Sequence, residues 1–349
     1  MKEISLKEGK YYLGSGLLEK SAELIRKNIN PRKVLIISDE NVFPLYGESL
    51  KASLDAAGII NEFMIFKAGE DSKCLLSFEK ILSRLSEGNY SRSDALITLG
   101  GGVIGDLGGF GASCFKRGMK LVQIPTSLLA MVDSSVGGKT GLNLGKYKNQ
   151  IGSFYEPHVC IADTDCLFSL NEREYKCGCG EIIKYAVLFD RAFFESLLNT
   201  PVKDRYENVI EKCVGFKRDI VLKDERDRGC RQLLNFGHTA GHAIETLSDF
   251  NMAHGEAVAV GMAYITRASA NLNYCKRDCY EDLCRILKAY GLPVSCEFSP
   301  SELYSLILKD KKITGDKINL IIPVKIGSCR IAPVDSQELL SILNSGALK

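Results

Sequence analysis

Arg231, Asn235, His238, His242 and Glu245 follow one another at spacings of four, three, four and three, which on a helix puts all five on one face. Leu233, Leu234, Phe236, Ala243, Ile244 and Leu247 surround the stripe and no Lys belongs to it, so it is expected to face a polar cavity. His238 and His242 have the i, i+4 spacing of a metal-binding pair, and His254 follows in Ala253-His254-Gly255-Glu256 at the start of the next helix. Three of the four histidines in the chain therefore lie between positions 238 and 254. A catalytic zinc commonly takes two imidazoles and a carboxylate and keeps one position open for substrate, so a metal centre is the chemistry this cluster points to. The H-E-x-x-H of a metalloprotease is absent, since Thr239 and Ala240 follow His238, and spacing alone leaves open which of the three histidines are ligands. Glu181 and Lys184, a carboxylate and a base on one helical face, are the remote candidates to complete the set.

A second kind of chemistry is suggested by Gly100-Gly101-Gly102-Val103-Ile104-Gly105-Asp106-Leu107-Gly108-Gly109, which follows an apolar strand and should open a helix. Gly100, Gly102 and Gly105 satisfy G-x-G-x-x-G, a run that lets backbone approach a pyrophosphate at a helix N-terminus. It departs from the standard dinucleotide fingerprint in following the third strand, with no acidic residue near 120 to 125 to take a ribose hydroxyl. The expectation is a dinucleotide site of unconventional layout. Ser134 to Thr140 ends like a nucleoside-triphosphate loop, but Asp133 stands where that loop requires Gly, and its carboxylate would repel a triphosphate. Lys139 and Lys148 remain candidates for a single phosphate or carboxylate.

The elements that must hold these groups are legible as two regimes. Up to about residue 164, short β-branched runs at Val34–Ser38, Glu62–Phe66, Ala95–Leu99, Leu121–Ile124 and Val159–Ala162 alternate with helical periodicity at Leu45–Ala57 and Leu75–Leu85. Alternation of this kind predicts a parallel, doubly wound sheet. From Glu172 onward the periodicity is helical, at Gly180–Leu198, Tyr206–Leu222, Gln232–Leu247, Gly255–Ala270, Tyr280–Tyr290 and Leu303–Lys309, with one hairpin-like stretch at Ile318–Val324. The expected architecture is an N-terminal Rossmann-like α/β domain over residues 1–164 and a mainly α-helical domain over residues 165–349.

Composition narrows the function classes. Among 349 residues, 45 basic and 43 acidic side chains leave a net charge of +2, without the basic excess of a nucleic-acid or membrane-surface binder. No charge-free run exceeds 13 residues, against about 20 needed to span a bilayer, and Met1 to Glu8 carries no apolar secretory core, so a cytoplasmic protein is expected. The 13 cysteines are an odd number and scattered. Their only tight spacings, Cys177-Gly178-Cys179 and Cys275, Cys279, Cys284, lack the paired CxxC of a structural zinc site, so they read as reduced apolar residues.

Taken together, Gly100 to Phe110, Arg117-Gly118 through Pro125 to Gly141, Glu181-Ile182-Ile183-Lys184-Tyr185, Asn235 to Glu245 and His254-Gly255-Glu256 resemble, in order over nearly the whole chain, the 3-dehydroquinate synthase family of sugar-phosphate cyclases. The resemblance implies a lyase that converts 3-deoxy-D-arabino-heptulosonate 7-phosphate, a small phosphorylated sugar acid, into 3-dehydroquinate and phosphate, with catalytic NAD+ and a divalent metal, Zn2+ or Co2+. It implies metal ligands Glu181, His238 and His254, with His242 moved to a substrate role. The implied NAD contacts are Asp39, the turn Ala68, Gly69, Glu70, Asp71, Ser72, Lys73, then Gly102, Val103, Ile104, Gly105, Asp106, Thr126, Ser127, Asp133, Lys139, Lys148 and the stretch Cys166, Leu167, Phe168, Ser169. Arg231 and Lys217 are implied at the substrate carboxylate; Lys139, Asn149, His242, Lys311 or Lys312, and Arg117 from the partner of a homodimer, are implied around the phosphate. Lys184 and Asn235 join the catalytic set. Ser127 keeps a hydroxyl where the family often has a second Thr, Asn171 replaces a usual Pro before Glu172-Arg173-Glu174, and Leu142 to Asn149 lacks the common Pro-x-Gly-Lys-Asn. The rival expectations are a sister cyclase making an inosose or valiolone, and a metal-dependent NAD polyol dehydrogenase without a phosphate cage.

Overall fold

The computed structural model describes residues 1–145, 147–249, 251–310 and 317–347. In chain order the elements are β1 (Lys2–Ser5), β2 (Lys10–Gly14), α1 (Ser21–Asn28), β3 (Lys33–Asp39), α2 (Phe43–Ala56), β4 (Ile60–Phe66), α3 (Leu75–Glu87), β5 (Ala95–Gly100), α4 (Gly102–Cys114), β6 (Lys120–Pro125), β7 (Lys139–Leu144), β8 (Tyr147–Phe154) and β9 (Val159–Asp163). They continue with α5 (Glu172–Phe189), α6 (Arg191–Asn199), α7 (Tyr206–Lys223), α8 (His238–Leu247), α9 (His254–Asn271), α10 (Arg277–Ala289), α11 (Pro300–Asp310), β10 (Ile318–Lys325), β11 (Ser328–Val334) and α12 (Ser336–Gly346).

The five apolar runs are strands β3, β4, β5, β6 and β9, and they pair in parallel; the expectation that all five are buried fails at β4, which lies at the sheet edge and buries only Phe66. With β2 and an antiparallel edge strand β1 they form one sheet of order β1-β2-β9-β6-β5-β3-β4. Both faces of the sheet are covered, which is why its central strands are apolar throughout instead of alternating. Leu24 and Ile25 of α1 and Leu50 and Leu54 of α2 pack on Val34, Ile36, Ile97 and Val122 on one face; Ile81 and Leu85 of α3 and Leu107 and Phe110 of α4 pack on Leu35, Ile37, Leu96 and Leu121 on the other. The chain runs outward from β3 to β4, then crosses back to β5 and on to β6. Helices after β3 and β5 therefore leave from opposite faces, and the carboxyl ends of these two neighbours frame the switch-point crevice where open α/β sheets take ligands.

Helices dominate the rest, and α9 is buried along most of its length, from Gly255 to Ser269, as expected of the central helix of a helical layer. The late apolar stretch is one arm of the antiparallel hairpin β10–β11. Compact contacts group Met1–Leu170 with Ile210–Leu222, and Asn171–Val209 with Lys223–Lys349. The change of periodicity places the division after residue 164; the 3-10 turn Thr164–Ser169 groups with the sheet, where Tyr46 Oη donates to Cys166 O at 2.9 Å and Ser15 Oγ to Asp165 Oδ2 at 2.8 Å. Asn171, the departure from the usual Pro, is the N-cap of α5, its Oδ1 accepting the Glu174 N–H at 2.9 Å. The helix expected to run unbroken over Gly180–Leu198 is two helices, because Asp190 accepts the Phe193 N–H at 2.8 Å and caps a new one.

His158, outside the histidine cluster, has a structural part. Its Nδ1 accepts the Leu121 N–H at 3.3 Å, and burial, helped by the Lys120 ammonium, pushes its pKa from 6.5 down to about 4. The unfolded chain thus binds more protons between pH 6.5 and 4, so this residue's contribution to stability is full above pH 6.5 and is lost as pH falls toward 4. Urea melts at pH 7 and pH 5 should show His158→Gln losing less stability on acidification than the wild type, by on the order of 1 kcal/mol after allowance for partial exposure; equal losses would show that His158 does not titrate in this way.

Candidate functional site

Glu181, in the middle of α5, is fully buried, and His238 and His254 are the first residues of α8 and α9. Both histidines turn Nε2 toward one oxygen, Glu181 Oε1, at 3.4 Å for His238 and 3.3 Å for His254. The opposite nitrogens are also engaged: His238 Nδ1 lies 3.1 Å from the Phe236 carbonyl oxygen and His254 Nδ1 lies 3.4 Å from Glu245 Oε2. Glu181, His238 and His254 thus offer three ligand atoms within 4.8 Å of one another.

Charge supports the same use. Burial, with the Lys184 ammonium nearby, holds the His238 imidazole down at about 3, so it is neutral and has a lone pair to give. Burial alone would lower the pKa of His254, but its contacts with Glu181 and Glu245 outweigh burial and hold it up at about 10. Two carboxylates therefore demand positive charge beside this ring, and a divalent cation answers that demand with the lone pairs of both histidines; the donor set fits a metal.

Helix crossings too close for side chains produce the convergence. A Cβ on Gly255 would lie 2.5 Å from Cα of Cys177, and one on Gly180 would lie 2.7 Å from the Gly255 carbonyl oxygen, so α5 and α9 touch backbone to backbone beside Glu181 and His254. Gly237, at φ +79°, and Gly241 pack in the same way against α9. Cys177, among the cysteines read as plain apolar residues, accepts the Gly255 N–H on its Sγ at 3.0 Å. Its place one turn before Glu181 was the only signal in the sequence.

The five-residue stripe is corrected by the structure. Arg231 and Asn235 lie in a 3-10 turn, Cys230–Asn235, and only His238, His242 and Glu245 share α8, because the left-handed Gly237 breaks the helix that periodicity runs through Gln232–Leu247. Arg231 is buried nonetheless, its Nη1 donating to Glu225 O at 2.6 Å, and Asn235 is half-buried. Lys184 lies against Glu181 Oε2, both side chains buried. His242 is exposed, its ring centroid 5.5 Å from that of His238. His242, Glu245 and His254 form a second group with metal-ligand geometry.

In the other compact unit, the glycine run sits at the switch point. Asp39 ends β3, Gly100 ends β5, and Gly102 opens α4, which directs its N-terminal N–H groups toward the crevice. Asp39, at the end of β3, accepts the Asn41 and Val42 N–H groups at 2.9 and 3.1 Å. The glycines divide their work: a Cβ on Gly108 would lie 2.6 Å from Ile37 Cδ1, so that position lets α4 pack closely on the sheet, while Gly69, at φ +106°, has open space around it. This cradle fits a dinucleotide pyrophosphate. Ala68 donates its N–H to Glu40 Oε1 at 3.3 Å, and Glu70 to Ser72 form a 3-10 turn. Lys73, 4% exposed, reaches Asp106 Oδ2 and Asn149 Oδ1, each at 2.5 Å, and so ties three of the expected residues together. Thr126 N bonds Gly100 O at 3.1 Å and Ser127 Oγ accepts the Ala130 N–H at 3.2 Å. Lys217 Nζ meets Asp133 Oδ1 at 2.7 Å.

Lys139 begins β7 instead of a helix, which disposes of the triphosphate-loop resemblance by geometry. The β7–β8 hairpin, not read from the sequence, carries Lys148 and Asn149, the latter at φ +54°. Cys166 to Ser169 close the 3-10 turn after β9, where Phe168 is 78% exposed. Arg117 is exposed on a turn at φ +63°. Lys311 and Lys312 lie outside the described residues.

Comparison with known proteins places the chain in a family. Family models for the N-terminal and C-terminal parts of 3-dehydroquinate synthase match residues 63–177 and 178–313. The chain is 39% identical over 349 residues to a 3-dehydroquinate synthase of Clostridium kluyveri, covering 98% of this chain and 97% of the relative. It is 42% identical over 337 residues to one from Clostridium botulinum, covering 94% and 96%. Among solved structures it shares its fold, at a TM-score of 0.88, 24% identity and 99% coverage of both chains, with a 2-deoxy-scyllo-inosose synthase complexed with carbaglucose-6-phosphate, NAD+ and Co2+.

Proposed function

The chain belongs to the 3-dehydroquinate synthase family, a phosphate-eliminating, ring-closing lyase, and we propose that it acts on 3-deoxy-D-arabino-heptulosonate 7-phosphate with NAD+ as a recycled cofactor and one divalent metal. The observation that carries this reading is the convergence of His238 Nε2 and His254 Nε2 on Glu181 Oε1 in a chain this similar to the family. Glu181, His238 and His254 would hold the metal, which when bound would supply acidification of the substrate hydroxyls, and bound NAD+ would supply a reversible hydride acceptor. Zinc is the proposed ion, with cobalt an accepted substitute; a relative of the same fold carries Co2+.

The residues of this chain do the remaining work by binding and charge. Asp39, Gly102 to Asp106, Thr126 and Ser127 offer a strand-end carboxylate, helix N–H groups and hydroxyls suited to the ribose and pyrophosphate of NAD+. Ala68 to Lys73, Asp133, Lys148 and Cys166 to Ser169 are proposed to complete that contact set. Arg231 and Lys217, both buried, are cations for the substrate carboxylate, and Arg231 presents a planar fork that matches it. Lys139, Asn149 and His242, with Arg117 from a second copy in a homodimer, are proposed to surround the phosphate, where donors stabilise the charge of the departing dianion. The substrate's own phosphate then serves as the base in elimination, and Lys184 and Asn235 orient groups around the reacting carbons.

Purified, metal-loaded protein given the heptulosonate phosphate and a sub-stoichiometric amount of NAD+ is expected to release one phosphate per substrate with no net NADH. No phosphate from folded, metal-loaded protein would overturn the proposal, and NADH accumulating with substrate would point to a polyol dehydrogenase. Glucose 6-phosphate or sedoheptulose 7-phosphate, which lack the carboxylate, should give no product; turnover of either would move the chain to a sister cyclase.

A further inference from the structure

We propose that Glu245 is a positioning residue of the metal centre: its buried carboxylate accepts the Nδ1–H of His254 and so turns Nε2 of that ring toward Glu181 and His238. The inference deepens the metal reading above and rests on it. An imidazole that gives one nitrogen to a metal must place its proton on the other, and that proton needs an acceptor to fix the ring. For His238 the acceptor is the Phe236 carbonyl, 3.1 Å from Nδ1, which has no proton of its own to give. His254 heads its own helix, and among the described residues the group hydrogen-bonded to its Nδ1 is Glu245 Oε2 at 3.4 Å, on a side chain 4% exposed. Glu245 lies seven residues after His238 on α8, so one helix face supplies both a ligand and the residue that orients the ligand on α9.

The same atoms allow another use, since His242, Glu245 and His254 also have ligand spacing. That arrangement would take Glu245 away from the His254 Nδ1–H and would draw on His242, which is exposed, whereas both Nε2 atoms already converge on a fully buried carboxylate. The geometry therefore sets Glu245 one step behind the metal.

The test uses full-length protein stripped of metal, with Zn2+ affinity read by competition with a chromophoric chelator and ligand geometry by the visible spectrum of bound Co2+. Glu245→Ala should weaken Zn2+ binding about 10–100-fold and alter the Co2+ bands. Glu245→Gln, whose amide oxygen accepts the same proton, should lose less than about tenfold and keep the wild-type band pattern. His242→Ala should bind Zn2+ as the wild type does. Glu245→Leu fills the site without an acceptor, and it replaces the Ala variant if circular dichroism shows that protein unfolded. Wild-type affinity in Glu245→Ala or Glu245→Leu would overturn the positioning role alone. Losses in Glu245→Gln and His242→Ala as large as in Glu245→Ala would make Glu245 a ligand and overturn it too. A wild type that binds no Zn2+ would overturn the metal reading and this proposal together.

Discussion

His254→Ala is expected to lose metal and catalysis together, whereas His242→Ala keeps its metal and loses rate. The two residues are close in sequence and both near His238, so spacing treats them alike. Their surroundings differ. His254 Nε2 is 3.3 Å from Glu181 Oε1 and its Nδ1 faces Glu245, so its removal takes away one of three converging donors and leaves two carboxylates with less to balance them. Metal affinity should fall by more than the 10–100-fold that loss of an outer partner costs, and turnover by at least about 10³-fold, the several kcal/mol a metal supplies to charge stabilisation. His242 is exposed, so its truncation disturbs little packing and leaves Glu181, His238 and His254 intact. A group in proton transfer or phosphate binding is worth about 10²–10⁴-fold, so His242→Ala should show wild-type metal content, measured by atomic absorption, with a rate reduced by that factor. Equal metal loss in both variants would contradict this division and shift the centre toward the His242, Glu245, His254 group.

What the sequence could and could not carry follows from which interactions are local. The parallel strands were legible because a sheet covered on both faces demands unbroken aliphatic runs, and Val34–Ser38 and Ala95–Leu99 lie inside β3 and β5. The glycine run was legible as a cradle, but its place at the switch point was not, because that depends on β5 pairing with β3 across the sheet. Periodicity ran Arg231 to Glu245 as one helix since a glycine inside an apolar pattern is neutral on that measure; only the left-handed backbone at Gly237 and the closeness of α9 break it. The β7–β8 hairpin escaped because β8 is largely exposed and carries no buried alternating face. Glu245 was visible in the histidine stripe, but its partner is on the next helix, and the function of Cys177 lies in a contact 78 residues away. Ligand types could be read from spacing, then, while the groups that orient the ligands could not.

Gly255→Ala should damage the site severely for the addition of a single methyl group. At 255 a Cβ would overlap the carbonyl oxygen of Cys177 and lie 2.5 Å from its Cα, and both are backbone atoms of α5 with no rotamer to escape into. Relief requires α5 and α9 to separate, which strains the Cys177 Sγ bond to the Gly255 N–H and moves His254 away from Glu181. Overpacking of this sort costs about 1–3 kcal/mol, and displacement of a reacting group by about 1 Å can cost about 10²-fold in rate. The variant should therefore melt at lower temperature, bind Zn2+ less tightly than the wild type, and turn over at least about 10²-fold more slowly, even at saturating metal. Gly215→Ala is the matched control: Gly215 lies inside α7 with nothing within 4 Å of a Cβ, so the same methyl group there should leave activity unchanged and raise stability by about 0.5–1 kcal/mol. Thermal melts and metal titrations of the two variants side by side separate a general cost of replacing glycine from the specific cost at this crossing. If Gly255→Ala kept wild-type metal affinity and rate, the close approach of α5 and α9 would not be what holds Glu181 and His254 in register.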